Sequence, residues 1–288
     1  MELPVFQMQD VIRTALREDL GYGDVTTDTL IPPEQESDAV FLVKQDGVLC
    51  GLEAAFLTLR MLDPDVRTRA LFRDGDRVKR GDIAAKAHGK TRALLKAERT
   101  ALNLLQHLSG VATATSRAVA EVEGTGAFIT DTRKTLPGLR ALEKYAVATG
   151  GGRNHRYTLS DAAMVKDNHV DAVGSIGEAV KCLRQNLGHT LKVEVEARTI
   201  GEVREALDAH ADIIMLDNMD VAQMRDAVAL ISHRAAVEAS GGLEPGALRA
   251  VAETGVDVIS LGALTHSVRA LDISMKLRPA PEPENQEN

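Results

Sequence analysis

Cysteine is scarce in this chain, which has 288 residues but only Cys50 and Cys182. The two lie far apart and outside any metal-ligand spacing, which argues against a disulfide framework or a cysteine-bound metal. We expect both to be small buried residues in a reducing compartment. No apolar run reaches the roughly 18 residues of a membrane-spanning helix, and the N-terminus lacks the basic and apolar segments of a signal peptide. We therefore expect a cytoplasmic protein with no membrane partner.

Positive charge is also in deficit. Lys and Arg total 34 against 42 Asp and Glu, which gives a formal net charge of −8. No basic stripe offsets this balance, so simple electrostatic binding to nucleic acid is not expected. Hydrophobic residues make up 44% of the chain, enough for a sizeable core in one large domain or two ordinary ones.

The first third of the chain has the pattern of a small α+β domain. A short amphipathic helix is predicted after Asp10, which is a good N-cap residue. Three strands are predicted after it, at 39–43, 66–72 and 83–87, separated by Asp-Gly and Arg-Gly-Asp turns. A long helix is predicted at 91–108. We expect this N-terminal domain to cover residues 1–112.

Strands and amphipathic helices then alternate regularly through residues 113–267. The strands are predicted to end near six positions: Asp131, Lys166, Glu196, Asp217, Ser240 and Leu261. The helices are predicted at 138–148, 176–186, 200–209, 221–232 and 245–253. This alternation is typical of parallel strands with helical crossovers, at the repeat length of a (β/α) barrel unit. Six visible units indicate a barrel with fewer than eight strands, or one strand in a segment that the pattern does not reveal.

The segment 191–197 favours a barrel over an open sheet. Its apolar residues occupy one face, and Lys192, Glu194 and Glu196 occupy the other. An open doubly wound sheet is covered on both sides and would be apolar on both. The predicted fold class is therefore α/β: an incomplete (β/α) barrel with an N-terminal α+β, sandwich-like domain. The tail from Pro279 is rich in Pro, Glu and Asn and is expected to be disordered.

Positive and hydrogen-bonding residues concentrate between positions 130 and 170. Arg133-Lys134, Asn154-His155-Arg156 and Lys166 all fall there, with three glycines at 150–152. A cationic cluster in an acidic chain indicates a small, highly anionic ligand, because Arg and Lys pair with carboxylates and phosphates. Taken singly, each has a plainer explanation: an exposed basic loop, a structural histidine or a helix terminus.

Active sites of barrels lie at the carboxyl ends of the strands, and here all six ends carry polar residues or glycine. Lys166 has three interpretations: a lysine whose stem lies along apolar surface, a Schiff-base lysine, or an anion-binding group, which we favour. Glu196 and Asp217 either pair with the lysines, hold sugar hydroxyls, or bind Mg²⁺ partly through water.

Glycine follows the last two strands, at Ser240-Gly241-Gly242 and at Gly262. Barrels commonly build a phosphate site there from backbone N–H groups. A tight turn is the alternative, and His266 either adds a contact or caps the helix.

The chain resembles the quinolinate phosphoribosyltransferase family, also called decarboxylating nicotinate-nucleotide pyrophosphorylase. Specific motifs carry the resemblance: DTRKTLPGLR at 131–140, GGG with NHR at 150–156, and KDNH at 166–169, with further matches in the same order at 98–103, 193–196, 212–218, 240–241 and 254–269. The resemblance implies an N-terminal α/β domain and a barrel of fewer than eight strands. It also implies that residues 268–288 return to the N-terminal domain before the tail.

The resemblance further implies a reaction, its ligands and roles for individual residues. The substrates would be quinolinate and phosphoribosyl pyrophosphate, with Mg²⁺ as cofactor. By motif, quinolinate would be bound by Arg133, His155, Arg156 and Lys166, with Thr132. The ribose, pyrophosphate and metal would be bound by Lys134, Glu196 and Asp217, so that the catalytic set is Lys134, Lys166, Glu196 and Asp217. Phosphate would be bound by Ser240, Gly241, Gly262 and His266. Arg99 would reach the site of a neighbouring subunit, which implies a homodimer, with a higher oligomer left open.

Three other functions stay open at this point. A Schiff-base aldolase would use Lys166, and a borohydride-trapped adduct would reveal it. A non-catalytic sensor of phosphorylated metabolites has no need of Glu196 and Asp217 beside the cations. A related pyrophosphorylase acting on another base differs least from the expected enzyme.

Overall fold

The structure is a computed structural model, and it describes residues 4–279. The tail that we expected to be disordered lies, except for Pro279, outside the described residues. The first part of the chain forms α1 (Val5–Leu20), α2 (Val25–Leu30), β1 (Glu36–Val43), β2 (Gly47–Val48), α3 (Leu52–Leu62), β3 (Arg67–Ala70), β4 (Arg77–Val78), β5 (Ile83–Lys90) and α4 (Thr91–Glu121). The rest forms β6 (Phe128–Thr130), α5 (Arg140–Thr149), β7 (Ala163–Val165), α6 (Asp167–Val173), α7 (Ile176–Asn186), β8 (Val193–Ala197), α8 (Ile200–Asp208), β9 (Ile213–Asp217), α9 (Val221–Ile231), β10 (Ala236–Ser240), α10 (Leu248–Ala252), β11 (Val258–Ser260), α11 (Ala263–His266) and β12 (Ile273–Pro279).

The described residues form two compact units. The first comprises the residues up to Ala114, Pro137–Gly150 and the residues from Val268 onward. The second comprises Thr115–Leu136 and Gly151–Ser267. The division between them falls inside α4, two residues after the expected boundary at 112.

An antiparallel sheet in the order β12-β1-β5-β3 organises the first unit. Its inner residues share one buried core with the apolar face of α4; among them Phe41 meets Phe56 edge to face, with ring centroids 6.5 Å apart. In the last strand, Met275 lies opposite Phe41. A Cβ at Gly110 of α4 would lie 2.5 Å from the carbonyl oxygen of Arg269, so glycine permits the close approach of the segment before β12.

Helix α1 differs from its prediction. It begins at Val5 after Pro4, and Asp10, the expected N-cap, lies inside it. Its buried residues are Met8, Ile12 and Leu16, spaced four apart. Because this buried face begins at Met8, before Asp10, the helix also begins before Asp10. The cap preference of Asp10 was a weaker signal than this spacing.

Helix α5 lies in the first unit, although we expected residues 138–148 in the barrel domain. Its contacts within that unit are specific: Glu143 Oε1 lies 2.7 Å from His107 Nε2, and Tyr145 donates a hydrogen bond of 3.0 Å to Asp74. The strand–helix alternation could not show which residues this helix contacts.

Six parallel strands form the sheet of the second unit, in the order β6-β11-β10-β9-β8-β7. Helices separate most successive strands, as in a (β/α) barrel. Within residues 4–279, β6 and β7 each pair with one neighbouring strand only, so the barrel is incomplete. The fold-class prediction, a barrel of fewer than eight strands together with an N-terminal α+β domain, is confirmed.

Two further expectations concern the cysteines and membrane-spanning helices. Cys50 is buried as expected, but Cys182 is exposed on α7, so that prediction was wrong for one of the two cysteines. In the described part of the chain no helix has the length and apolar character needed to cross a bilayer.

Candidate active site

The carboxyl ends of the six barrel strands surround one cavity of about 870 Å³. Parallel strands place these ends at one edge of the sheet, and neighbouring residues confirm the alignment: Ser240 pairs with Asp217, and Ser260 pairs with Thr130. The cavity brings together every predicted site residue of this unit: Thr132, Arg133, Lys134, His155, Arg156, Lys166, Glu196, Asp217, Ser240, Gly241, Gly262 and His266.

Asp131 organises the cationic side of the cavity. It follows β6 and is fully buried. One of its carboxylate oxygens accepts the backbone N–H of His155 at 2.9 Å, and the other accepts the side-chain amide of Asn154 at 2.6 Å. This pairing ties the loop after β6 to the segment containing Arg156, so cations distant in sequence face the same cavity.

Arg133 and Arg156 place two guanidinium groups at this cavity. Burial, followed by the nearby charge of Arg133, lowers the pKa of Arg156 below its ordinary value. The Arg156 guanidinium is held by the carbonyl of Ala162 at 2.8 Å. Two guanidinium groups that repel each other across a partly buried cavity favour an anion between them.

Lys166 and Glu196 form an ion pair inside the cavity, with Nζ 2.5 Å from Oε2. The side chain of Lys166 is 44% exposed, and that of Glu196 is 11% exposed. The lysine is thus presented as a charged group at the cavity wall. This fits the anion-binding interpretation better than that of a Schiff-base lysine among apolar side chains.

Asp217, at the end of β9, lines the same cavity as Glu196. The amide of Asn218 donates a 2.9 Å hydrogen bond to it, and the backbone N–H of Asn218 donates to Ser240 at 3.0 Å. Mg²⁺ is commonly held by one or two carboxylates together with substrate phosphates. Glu196 and Asp217 match that donor set.

The glycines after β10 and β11 are required by close contacts. A Cβ at Gly241 would lie 2.5 Å from Oδ1 of Asn218, and φ at Gly241 is +93°. A Cβ at Gly262 would lie 2.7 Å from Cδ of Lys134 and 3.1 Å from the ring of His266. The absence of side chains leaves backbone at the cavity wall, as a phosphate site requires.

Arg99 is the one predicted site residue that does not line this cavity. It lies on the part of α4 that belongs to the first unit, and its side chain is exposed.

The structure adds a buried cluster to the predicted site. Glu194 on β8 and Glu238 on β10 are 1% and 2% exposed. Their carboxylates lie 3.3 and 3.4 Å from Nε2 of His155. From the sequence we predicted only the direction of Glu194, and Glu238 was missed. The signal for Glu238 was a single glutamate inside an apolar strand, whereas Glu194 belongs to a charged face that it shares with Glu196.

The proton arrangement of this cluster follows from its hydrogen bonds. Burial opposes the charged form of His155, but the hydrogen bonds to Glu194 and Glu238 outweigh it and raise the pKa of His155 to about 10. Nδ1 accepts the backbone N–H of Arg156 at 2.8 Å, so this nitrogen carries no proton. Nε2 is therefore the nitrogen that faces the two carboxylates.

Comparison with known proteins decides the family. Residues 24–109 match the family described as quinolinate phosphoribosyl transferase, N-terminal domain, and residues 111–276 match its C-terminal domain. The chain belongs to the quinolinate phosphoribosyl transferase family. A probable nicotinate-nucleotide pyrophosphorylase [carboxylating] of Bacillus subtilis (strain 168) is 45% identical over 93% of both chains. A quinolinate phosphoribosyltransferase [decarboxylating] 2b, mitochondrial, of Nicotiana tabacum is 43% identical over 95% of this chain and 83% of its own.

Solved structures of the family agree. NadC from Streptococcus pyogenes superposes with a TM-score of 0.94 at 40% identity, over 98% of this chain and 100% of that one. The nicotinate-nucleotide pyrophosphorylase from Francisella tularensis gives a TM-score of 0.91 at 35% identity, over 96% and 98% of the two chains.

Replacing Gly241 with alanine tests the phosphate site of this family member. We expect Gly241→Ala to weaken binding of inorganic pyrophosphate by about tenfold or more, because the methyl group would displace Asn218 and the loop. Gly246→Ala is the matched control, since Gly246 has nearly the same φ, +91°, but open space around its Cβ position. Calorimetric titration of both variants gives the comparison. Equal losses in the two would attribute the effect to backbone strain rather than to the contact with Asn218.

Proposed function

We propose that this protein is a quinolinate phosphoribosyltransferase. It joins quinolinate to phosphoribosyl pyrophosphate and releases nicotinate mononucleotide, pyrophosphate and CO₂, a step of NAD synthesis. The observation that carries the proposal is a cavity in which two arginines, two lysines and two histidines meet the carboxylates Glu196 and Asp217 and two strands that end in glycine. The names of the relatives support it.

The cationic residues would hold the two carboxylates of quinolinate. Arg133, Arg156 and Lys166 line one cavity and offer charged donors. Each charge-assisted hydrogen bond contributes about 1.5–3 kcal/mol. Fixing both carboxylates orients the pyridine ring, so that its nitrogen faces the ribose carbon C1 in an attacking position. Thr132, whose hydroxyl accepts the backbone N–H of Lys134 at 3.0 Å, shapes the turn that presents these groups.

Phosphoribosyl pyrophosphate would occupy the other side of the cavity. Ser240, Gly241 and Gly262 present hydroxyl and backbone groups to a phosphate, with His266 alongside. Lys134 would face the departing pyrophosphate. Glu196 and Asp217 would hold Mg²⁺, which when bound would neutralise the charge of the pyrophosphate group.

The chemistry then needs no side-chain nucleophile. The lone pair of the pyridine nitrogen forms the bond to C1 as the bond from C1 to pyrophosphate breaks. The ribose gains positive character on the way, which the carboxylates near the site stabilise. The alkylated nitrogen is cationic and stabilises the electron pair left when the adjacent carboxylate departs as CO₂. A proton then takes the place of that carboxylate.

The proposal extends to the assembly and the location. Arg99 is exposed on α4 and would complete the cationic site of a neighbouring subunit, which makes a homodimer the smallest active form. The cytoplasm remains the proposed location.

A direct assay tests the proposed activity. Purified protein is given phosphoribosyl pyrophosphate and Mg²⁺ with either quinolinate or nicotinate, and mononucleotide and CO₂ are measured. We expect product from quinolinate only, with one CO₂ for each mononucleotide. Turnover of nicotinate, or of neither base, would reject the proposal in favour of a related activity or a binding protein.

Arg133→Ala tests the carboxylate site. The loss of one charge-assisted contact is expected to raise KM for quinolinate by about tenfold to a hundredfold while changing KM for phosphoribosyl pyrophosphate by less than about threefold. Arg153→Ala is the control, because Arg153 is exposed, stacks on Phe128 and lies outside the cavity lining. Similar increases in both KM values for Arg133→Ala would contradict the assignment.

Mixing of impaired variants, assayed at quinolinate concentrations far below the KM of Arg133→Ala, tests the role of Arg99. Arg99→Ala and Lys166→Ala subunits, reassorted by dilution and reassembly, should recover up to about a quarter of wild-type activity if each site combines residues of two subunits. Arg133→Ala mixed with Lys166→Ala is the control and should recover none, since both residues line the cavity of one chain. No recovery in the first mixture would show that Arg99 acts within its own subunit or not at all.

A further inference from the structure

The buried glutamates Glu194 and Glu238 are not used by the reaction proposed above. They lie on β8 and β10, with β9 between them, and both point to the inside of the barrel toward His155. In each of them one carboxylate oxygen, Oε1, has no hydrogen-bond partner among the described residues. The other oxygen of each shares the single Nε2 of His155.

This arrangement disfavours folding. Both carboxylates are buried in the barrel and lie against the same imidazole nitrogen, so two negative charges are held close together away from water. Two like charges around one N–H group, with two carboxylate oxygens left unpaired, are costly in a dry interior. The residues paired with the two glutamates on neighbouring strands are apolar: Met164 and Ile213 beside Glu194, and Met215 and Val258 beside Glu238. Apolar side chains therefore suit this level of the barrel. The packing of the barrel therefore does not explain the pair.

The cationic side of the cavity does explain it. Nδ1 of His155 accepts the backbone N–H of Arg156, so the glutamates act on Arg156 through the imidazole ring. The charge of Glu194 also acts directly on the Arg156 guanidinium and opposes the effect of Arg133 on it. Without a negative charge beneath them, Arg133 and Arg156 would repel each other while the site holds no substrate.

We infer that Glu194 and Glu238 are positioning residues, which fix His155 and offset the charge of Arg133 and Arg156, so that the quinolinate site is assembled before substrate binds. This inference rests on the proposed function. The proposed effect is preorganisation of the site. In the free protein the carboxylates offset the repulsion between the arginines, so substrate binding does not have to overcome that repulsion.

A metal ion is the competing explanation for the same three residues. Their potential ligand atoms all lie within 4.8 Å of one another. Metal binding through Nε2 requires a lone pair there and a proton on Nδ1. In the structure Nδ1 accepts the N–H of Arg156, which is the opposite tautomer, so the hydrogen bonds favour the positioning role.

Glu238→Gln in the full-length protein tests the inference. Glutamine keeps the shape and an acceptor oxygen but removes one charge. We expect KM for quinolinate to rise about tenfold, with kcat and KM for phosphoribosyl pyrophosphate changed by less than about twofold. The melting temperature should stay level or rise, because repulsion within the buried pair is relieved. Glu238→Asp, which keeps the charge, should recover part of the quinolinate affinity.

Asp212→Asn is the matched control. Asp212 precedes β9 at the opposite end of the sheet, accepts the N–H of Val193 at 2.7 Å and pairs with Arg184 at 2.7 Å. Its loss should lower the melting temperature and leave both KM values unchanged. Glu238→Gln is thus expected to lose quinolinate affinity without losing stability, and Asp212→Asn is expected to lose stability without losing affinity.

Other results would overturn the inference. A lower melting temperature in Glu238→Gln with both KM values unchanged, or raised equally, would make the pair structural. One equivalent of divalent metal in dialysed wild-type protein that Glu238→Gln lacks would replace the positioning role by a metal site. Wild-type protein that neither binds quinolinate in calorimetry nor turns it over would remove the proposed function and this inference together. Wild-type turnover with unchanged KM in Glu238→Gln would remove this inference alone.

Discussion

Repulsion between like charges is the constraint on which the rest of this site depends. An acidic protein concentrates Arg133, Lys134, Arg156 and Lys166 around one cavity, where mutual repulsion is less screened than in water. The structure meets this constraint by placing positive and negative side chains on different parts of the barrel. The cations follow strands or lie on loops, whereas the carboxylates Glu194, Glu196, Asp217 and Glu238 lie within the strands themselves.

That separation has a mechanical consequence. Carboxylates held by strand backbone cannot move toward solvent, so they stay beneath the cations whether or not substrate is present. The cations have longer side chains with more rotatable bonds, and they can adjust to an incoming anion. Lys166 shows the relation directly: its ammonium rests on Glu196 in the free protein and is available to a carboxylate or phosphate that enters the cavity.

Much of this site was predictable from the sequence because parallel strands have a simple rule. Residues at the carboxyl ends of parallel strands lie at one edge of the sheet, and this rule placed Lys166, Asp217 and Ser240 at one cavity without any knowledge of contacts. The family motifs added roles to these positions. The six-stranded sheet was predictable for the same reason, since the apolar strands and amphipathic helices alternate regularly.

The parts that were missed depend on contacts between distant segments. Glu238 sits in the middle of an apolar strand, and only the position of His155 on another loop gives it a partner. Helix α5 has an ordinary amphipathic pattern, and only its bonds from Glu143 and Tyr145 show which unit it joins. Local patterns determine which face of an element is buried, but not what it is buried against.

Burial of a charge does not by itself mark a functional residue in this protein, and the comparison of three glutamates shows what does. Glu143 is as buried as Glu194 and Glu238, and its Oε1 lies 2.7 Å from Nε2 of His107 in a hydrogen-bonded pair. Such a pair contributes to the fold of the first unit and needs no further explanation. Glu194 and Glu238 instead share one histidine nitrogen and leave an oxygen each unpaired. A buried charge that the fold leaves incompletely paired, directly beneath a cationic cavity, is retained for what the cavity binds rather than for the stability of the barrel.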